Sequence, residues 1–81
     1  MLDDYERMVW TVLQDPQARV YLYRYRDTPY VAVVAVVEQR QWLVMFAMDG
    51  VMESAYVVER PEHYLSHPAF ERIGSLSEVM A

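Results

Sequence analysis

The chain has 81 residues, which is enough for a single domain spanning residues 1–81 with a modest hydrophobic core. It contains seven arginines, no lysine, no cysteine and twelve acidic residues, and its net charge is −5. These counts exclude disulfides, thiolate catalysis and lysine Schiff-base chemistry, and the acidic balance argues against a broad nucleic-acid interface.

The hydrophobic content of the chain predicts contact with a partner. Hydrophobic residues form 54% of the chain, which is near the upper end for a soluble domain. The longest apolar run covers residues 30–37. A membrane span needs roughly 18 apolar residues, so none is predicted. Because the start Leu2-Asp3-Asp4 also lacks the pattern of a signal peptide, we expect a cytoplasmic protein.

The first predicted element is a helix over residues 2–14. Its apolar positions recur at helical spacing, at Leu2, Tyr5, Val9, Val12 and Leu13. Asp3 and Glu6 have the spacing of a capping box at the start of the helix. Pro16 ends it, because the residue before a proline is disfavoured in helical geometry.

Four strands are predicted next, at residues 19–26, 30–38, 42–48 and 51–58. The connections between them are short: Asp27-Thr28, Gln39-Arg40 and Asp49-Gly50. Such short loops predict an antiparallel meander in the order 1-2-3-4, with the first and last strands at its edges. Asp49-Gly50 is in addition a typical two-residue hairpin turn.

The C-terminal part of the chain is predicted to be helical. Pro61 opens this helix at a position that proline favours, His67-Pro68 interrupts or kinks it, and Gly74 ends it. Ser75 and Glu78 have the spacing of a second capping box, so the tail is either a frayed turn or continues into a longer natural chain. The predicted fold is therefore α+β, in the order α-β-β-β-β-α.

Strand parity assigns the side chains of the predicted sheet to two faces. The first, the aliphatic face, consists of Val20, Leu22, Arg24, Val31, Val33, Ala35, Val37, Trp42, Val44, Phe46, Met48, Val51, Glu53, Ala55 and Val57. The second, the tyrosine face, consists of Tyr21, Tyr23, Tyr25, Tyr30, Ala32, Val34, Val36, Leu43, Met45, Ala47, Met52, Ser54, Tyr56 and Val58. Neither face reads as polar, so both require a cover.

The two predicted helices suffice for one face, and we expect them on the aliphatic face. The tyrosine face then stays partly open and predicts an interaction surface. Its residues are Tyr21, Tyr23, Tyr25, Tyr30, Met45, Met52 and Tyr56. The leading interpretation is a non-enzymatic interaction module that forms a homodimer through this face. The alternative is that the C-terminal segment folds over it.

The candidate chemical groups have simpler explanations. His63 and His67 are four residues apart and could hold a metal on an unbroken helix, but Pro68 disfavours that geometry. Glu53 could act as an acid or base if it were buried, but an edge strand leaves it near water. We predict no metal, no cofactor and no catalytic residue.

Arginines interleaved with tyrosines provide an alternative RNA contact through Arg24, Arg26 and Tyr56. On a predicted edge strand, the same arginines are also explained as protection against unwanted strand pairing. The −5 charge supports a further alternative, an acidic inhibitor or antitoxin-type protein.

Two segments of the chain resemble a known family. Residues 51–56, Val-Met-Glu-Ser-Ala-Tyr, are similar to the strand after the last hairpin of small RelE-like toxin ribonucleases, and residues 2–16 resemble the helix before their sheet. The resemblance implies RNA cleavage by Arg24, Arg26, Glu53 and Tyr56. The chain departs from the family because it is acidic and lacks a His and Arg cluster at its first helix. These departures favour a degenerate member.

Overall fold

A computed structural model shows a five-stranded antiparallel sheet with helices on both of its faces. The structure describes residues 4–80, and the side chains of residues 6–80. Its elements in chain order are α1 (Asp4–Leu13), β1 (Arg19–Tyr25), β2 (Thr28–Val37), β3 (Arg40–Ala47), β4 (Met52–Val58), α2 (Pro61–Tyr64), β5 (Phe70–Ser75) and α3 (Leu76–Met80). The predicted α+β class is confirmed, but the sheet has five strands rather than four.

Helix α1 lies across β2 and β3 on the aliphatic face. Val9 and Val12 of the predicted apolar stripe are buried, and Met8, one turn before Val12, is buried with them. The helix ends before Pro16, as predicted. The capping box of Asp3 with Glu6 lies outside the described residues. Within residues 4–80, no helix is long and apolar enough to cross a membrane.

The first two hairpins turn over two residues each. Arg26 and Asp27 have φ angles of 50° and 67°, and Glu38 and Gln39 have φ angles of 52° and 69°. Two consecutive positive φ angles define the turn whose twist matches that of the flanking strands. Each turn lies one residue earlier than predicted. The pairing therefore shifts by two residues, which leaves every side chain on its predicted face.

The third hairpin differs from its prediction. Its turn covers three residues, 48–50, and the Gly50 N–H donates to the Ala47 carbonyl at 2.9 Å. A bulge then follows, because Met52 pairs with Phe46 whereas Ser54 pairs with Met45. The predicted two-residue turn at Asp49-Gly50 is therefore wrong. The bulge moves Met52 to the aliphatic side of the sheet and brings Glu53 to the tyrosine face.

The C-terminal helix predicted over residues 61–74 is also wrong. Pro61 starts a helix, as expected, but this helix ends at Tyr64, before His67-Pro68. The chain then forms β5, which pairs antiparallel with β1. The edges of the sheet are consequently β4 and β5, and β1 is internal. The arginines of β1 are therefore not guarding an edge.

Both faces of the sheet bury an apolar cluster. On the aliphatic face, α1 packs on Val33, Ala35, Val37 and Val44, and Leu76 of α3 joins this cluster. On the tyrosine face, Leu65 and Phe70 pack against a cluster formed by Tyr21, Ala32, Val34, Leu43, Met45 and Val58. The alternative in which the C-terminal segment covers part of the tyrosine face is therefore the one observed.

The second predicted capping box is present at the start of α3. The Ser75 N–H donates to a carboxylate oxygen of Glu78 at 2.9 Å, and the Glu78 N–H donates to the Ser75 hydroxyl at 3.3 Å. These two bonds satisfy backbone donors that would otherwise have no intrahelical partner. The segment after Gly74 is thus a short helix and not a frayed turn.

Candidate binding site on the tyrosine face

The sheet brings four tyrosines together on one face. Tyr23 and Tyr25 are two residues apart on β1, so both side chains point to the same side. Tyr30 of β2 pairs directly with Tyr23. Tyr56 of β4 pairs with Leu43 of β3 on the same face. The alternation of these strands therefore gathers residues that are up to 33 positions apart in the chain.

The rings of these tyrosines form an ordered array. The ring centroids of Tyr23 and Tyr25 are 6.5 Å apart with nearly parallel planes, and those of Tyr23 and Tyr30 are 6.4 Å apart. Tyr64 of α2 adds a fifth ring, perpendicular to that of Tyr56 at 6.2 Å. Such distances are within the favourable range for aromatic pairs.

Tyr56 and Tyr64 are also joined by a hydrogen bond. Their hydroxyl oxygens are 2.6 Å apart, and either hydroxyl can be the donor. Burial raises the pKa of Tyr56 well above its ordinary value, and the hydrogen bond with Tyr64 raises it further. Both causes disfavour the phenolate, so Tyr56 stays neutral and can act as a hydrogen-bond partner rather than as a base.

The five rings surround a depression of about 250 Å³. It is lined by Tyr23, Tyr25, Tyr30, Met45, Glu53, Ser54, Tyr56 and Tyr64. Among the described residues, Glu53 is the one charged residue in this lining. The site therefore combines aromatic rings with a single carboxylate.

The C-terminal segment forms one wall of the site. The centroid of the Phe70 ring lies 4.5 Å from that of the Tyr23 ring and 5.3 Å from that of the Tyr64 ring. A second depression of about 190 Å³ adjoins the first across Tyr23 and Tyr64, and His63, His67 and Phe70 complete its lining. The covering segment therefore leaves two neighbouring depressions instead of a flat open sheet.

The two histidines in this wall do not belong to the same helix. His63 belongs to α2, whereas His67 follows that helix, and the His67 Nδ1 accepts a hydrogen bond from the Ala69 N–H at 3.0 Å. Within the described residues, no three His, Cys, Asp or Glu side chains are grouped so that they could hold a metal ion.

The predicted interaction residues fall into three groups. Tyr23, Tyr25, Tyr30 and Tyr56 meet at the depression, as expected for one face. Tyr21 is on that face but is 7% exposed, because the Phe70 ring lies edge-on against it at 6.1 Å. Met45 is equally buried and contributes to the floor. Met52 lies on the aliphatic side of the sheet, so its predicted place on the tyrosine face is wrong.

Tyr64 is a site residue that the sequence analysis missed. The expected helix over residues 61–74 belonged on the aliphatic face, far from the tyrosines. The sequence feature that could have indicated this position is the pair of aromatic residues, Tyr64 and Phe70, on either side of the His67-Pro68 break. A break between two aromatic residues is compatible with a segment that crosses a face instead of continuing as a helix.

Comparisons with protein-family models, curated proteins and solved structures find no match for this chain. The resemblance to RelE-like toxin ribonucleases therefore stays a prediction from the sequence.

The residues of the alternative RNA contact lie apart. Arg24 pairs with Pro29 and points to the side of the sheet opposite Tyr56. Arg26 belongs to the first turn, and its guanidinium lies over the Tyr25 ring, 5.3 Å from the ring centroid. The described residues therefore bring Arg26, but not Arg24, to the tyrosine face.

A separate apolar groove lies between α1 and β4. It has a volume of about 210 Å³ and is lined by Glu6, Val9, Trp10, Leu13, Phe46 and Met52. The Trp10 side chain is 55% exposed. The groove adjoins the edge of the sheet, because β4 pairs with β3 on one side only. The bulge that displaces Met52 is what adds this residue to the groove.

Proposed function

We propose that this protein is a small non-enzymatic interaction module that binds a protein partner through the tyrosine face. The observation that carries the proposal is the convergence of five tyrosine rings around a depression that the C-terminal segment leaves open. Tyrosine is among the residues that contribute most to protein interfaces, because it has a large apolar ring and a hydroxyl that tolerates water.

The chemistry of the depression supports binding over catalysis. Its polar groups are phenol hydroxyls, the Ser54 side chain and the exposed Glu53 carboxylate. The raised pKa of Tyr56 keeps its hydroxyl protonated, so this group does not supply a general base near neutral pH. The arrangement suits a surface that receives a side chain of a partner.

Selection from a random peptide library displayed on phage tests this proposal. We expect the wild-type protein to enrich related peptides whose binding is lost in the Tyr25→Ser variant. The Tyr25 side chain is 50% exposed, so its removal should leave the fold intact. Trp10→Ser is the matched control, since Trp10 is equally exposed but lies on the other side of the sheet. Peptides that bind the Tyr25→Ser variant as well as the wild type would contradict the proposal.

Self-association is a second candidate, and the groove between α1 and β4 favours it. Trp10 and Met52 are exposed by 55% and 39%, beside the unpaired edge of β4. If two copies of the chain packed with two-fold symmetry, each copy would cover this apolar surface of the other. The homodimer predicted from the sequence used the tyrosine face instead. The C-terminal segment already covers part of that face, so we propose the α1–β4 side for the dimer.

A further inference from the structure

We propose that the depression on the tyrosine face binds the side chain of an arginine from a basic segment of a protein partner. This inference rests on the proposed function and names the chemistry of the partner. The guanidinium would stack on the tyrosine rings while the Glu53 carboxylate accepts its N–H groups.

The first argument is electrostatic. Aromatic ring faces attract cations, and the depression presents five tyrosine rings. Glu53 adds a formal negative charge to the lining, and the whole chain carries −5. Arg26 adds a positive charge beside Tyr25, but the charge within the lining itself is the Glu53 carboxylate, which repels a phosphate group. The observations therefore favour a cationic protein segment over a nucleic acid, although aromatic rings alone would suit either.

The second argument is geometric and favours arginine over lysine. A guanidinium is planar, so it can lie flat on a ring and bind a carboxylate through two N–H groups, whereas an ammonium is a compact point charge. The protein already contains this contact, because the Arg26 guanidinium lies over the Tyr25 ring at 5.3 Å. This contact uses Tyr25 at the outer end of the array, and the other tyrosine rings that line the depression offer the same chemistry to a guanidinium of the partner.

The third argument concerns the position of Glu53. The β4 bulge turns this residue toward the depression, whereas regular pairing would place it on the aliphatic face. The neighbouring depression beside His63, His67 and Phe70 then offers space for the residues that flank the arginine. The two depressions share Tyr23 and Tyr64, so one extended segment can contact both.

The test uses a short peptide with one central arginine and two copies in which lysine or citrulline replaces it. Citrulline keeps the shape of arginine but carries no charge. Binding to the full chain is followed by NMR chemical shifts of the tyrosine rings. We expect the citrulline peptide to bind roughly five- to thirtyfold more weakly, because both the cation–π contact and the ion pair are lost. The lysine peptide should be intermediate.

Protein variants separate the contributions of the carboxylate and the rings. Glu53→Gln should weaken the arginine peptide roughly two- to fivefold, as expected for an exposed ion pair. Glu38→Gln is the matched control, because it makes the same charge change outside the lining of the depression. Glu38 lies in the turn after β2, whereas Tyr30 of the depression lies near the start of that strand. Tyr25→Leu should also weaken binding without changing the fold.

Each outcome is decisive. Equal binding of the arginine and citrulline peptides, or a stronger effect of Glu38→Gln than of Glu53→Gln, would overturn the arginine site. If the phage selection still yields peptides that require Tyr25, the proposed interaction module is supported although the arginine site is rejected. Tighter binding of a single-stranded RNA oligonucleotide than of the arginine peptide at the same residues would overturn the choice of a protein partner.

Discussion

Tyr56 shows how its surroundings set the character of a single residue at the site. Its hydroxyl shares a hydrogen bond with Tyr64 across 2.6 Å, and its ring stands perpendicular to that of Tyr64. Burial and this bond raise the pKa of Tyr56 because both favour the neutral form. The pair thus holds α2 against the sheet and keeps a neutral phenol at the rim of the depression.

The first prediction is that Tyr56 ionises above the ordinary tyrosine pKa of 10.0. Folding favours the neutral form, so its contribution to stability is present below the ordinary tyrosine pKa of 10.0 and is lost as the pH rises above it. Ultraviolet titration of the folded protein should therefore show a late tyrosinate step. Tyr56→Phe should remove that step, whereas Tyr25→Phe should leave it unchanged. A late step that survives Tyr56→Phe would contradict the assignment.

At the scale of elements, the segment from α2 to β5 decides what the tyrosine face can do. The segment covers Tyr21 and supplies Tyr64 and Phe70 to the site. Strand β5 pairs with the side of β1 that does not pair with β2. The same segment thereby moves the edge of the sheet from β1 to β5 and narrows an open face to a depression.

The second prediction concerns Phe70. Phe70→Ala should lower the free energy of unfolding by about 2–3 kcal/mol, because a half-buried ring loses its contacts with Tyr21, Tyr23 and Tyr64. Ile73→Ala is the control on the same strand. Ile73 is 51% exposed, so its replacement should cost less than about 0.5 kcal/mol. Urea denaturation measures both. Equal effects would mean that the segment does not pack on the face.

The third prediction concerns the capping box of α3. The hydrogen bond from the Ser75 N–H lowers the pKa of Glu78 below 4.5, so α3 should be stabilised above that pH and should fray as the pH falls below it. Carboxyl NMR titration measures this pKa. Ser75→Ala removes the hydroxyl bond and should raise the pKa toward 4.5. Ser66→Ala lies outside α3 and its capping box and should have no effect.

At the scale of the whole molecule, apolar surface remains exposed on both sides of the sheet, although α1 covers part of one side and the C-terminal segment covers part of the other. Helix α1 leaves Trp10 and Met52 exposed beside β4, and the C-terminal segment leaves Tyr25 and Tyr64 exposed on the other side. The net charge of −5 favours a basic partner for the tyrosine face. The two surfaces therefore suit different partners.

The fourth prediction separates the two proposed surfaces by oligomeric state. Light scattering coupled to size exclusion should show a dimer whose fraction rises with protein concentration. Trp10→Lys should shift it to monomer, because a charge would enter the contact between two copies. Tyr25→Lys should leave the dimer intact. The reverse pattern would return the homodimer to the tyrosine face, and a monomer at all concentrations would end the self-association proposal.

The sequence by itself determined the α+β class, α1, the antiparallel hairpins and the two apolar faces, because these follow from local periodicity and from alternation along strands. It also identified four of the five tyrosines at the depression. Only the tertiary structure decided that residues 70–75 form a strand on β1 and that the β4 bulge exchanges the faces of Met52 and Glu53. The physical reason is that strand pairing and bulges depend on partners far along the chain. A short segment after a proline break can satisfy its hydrogen bonds as helix or as strand, and the unpaired side of β1 settles the choice.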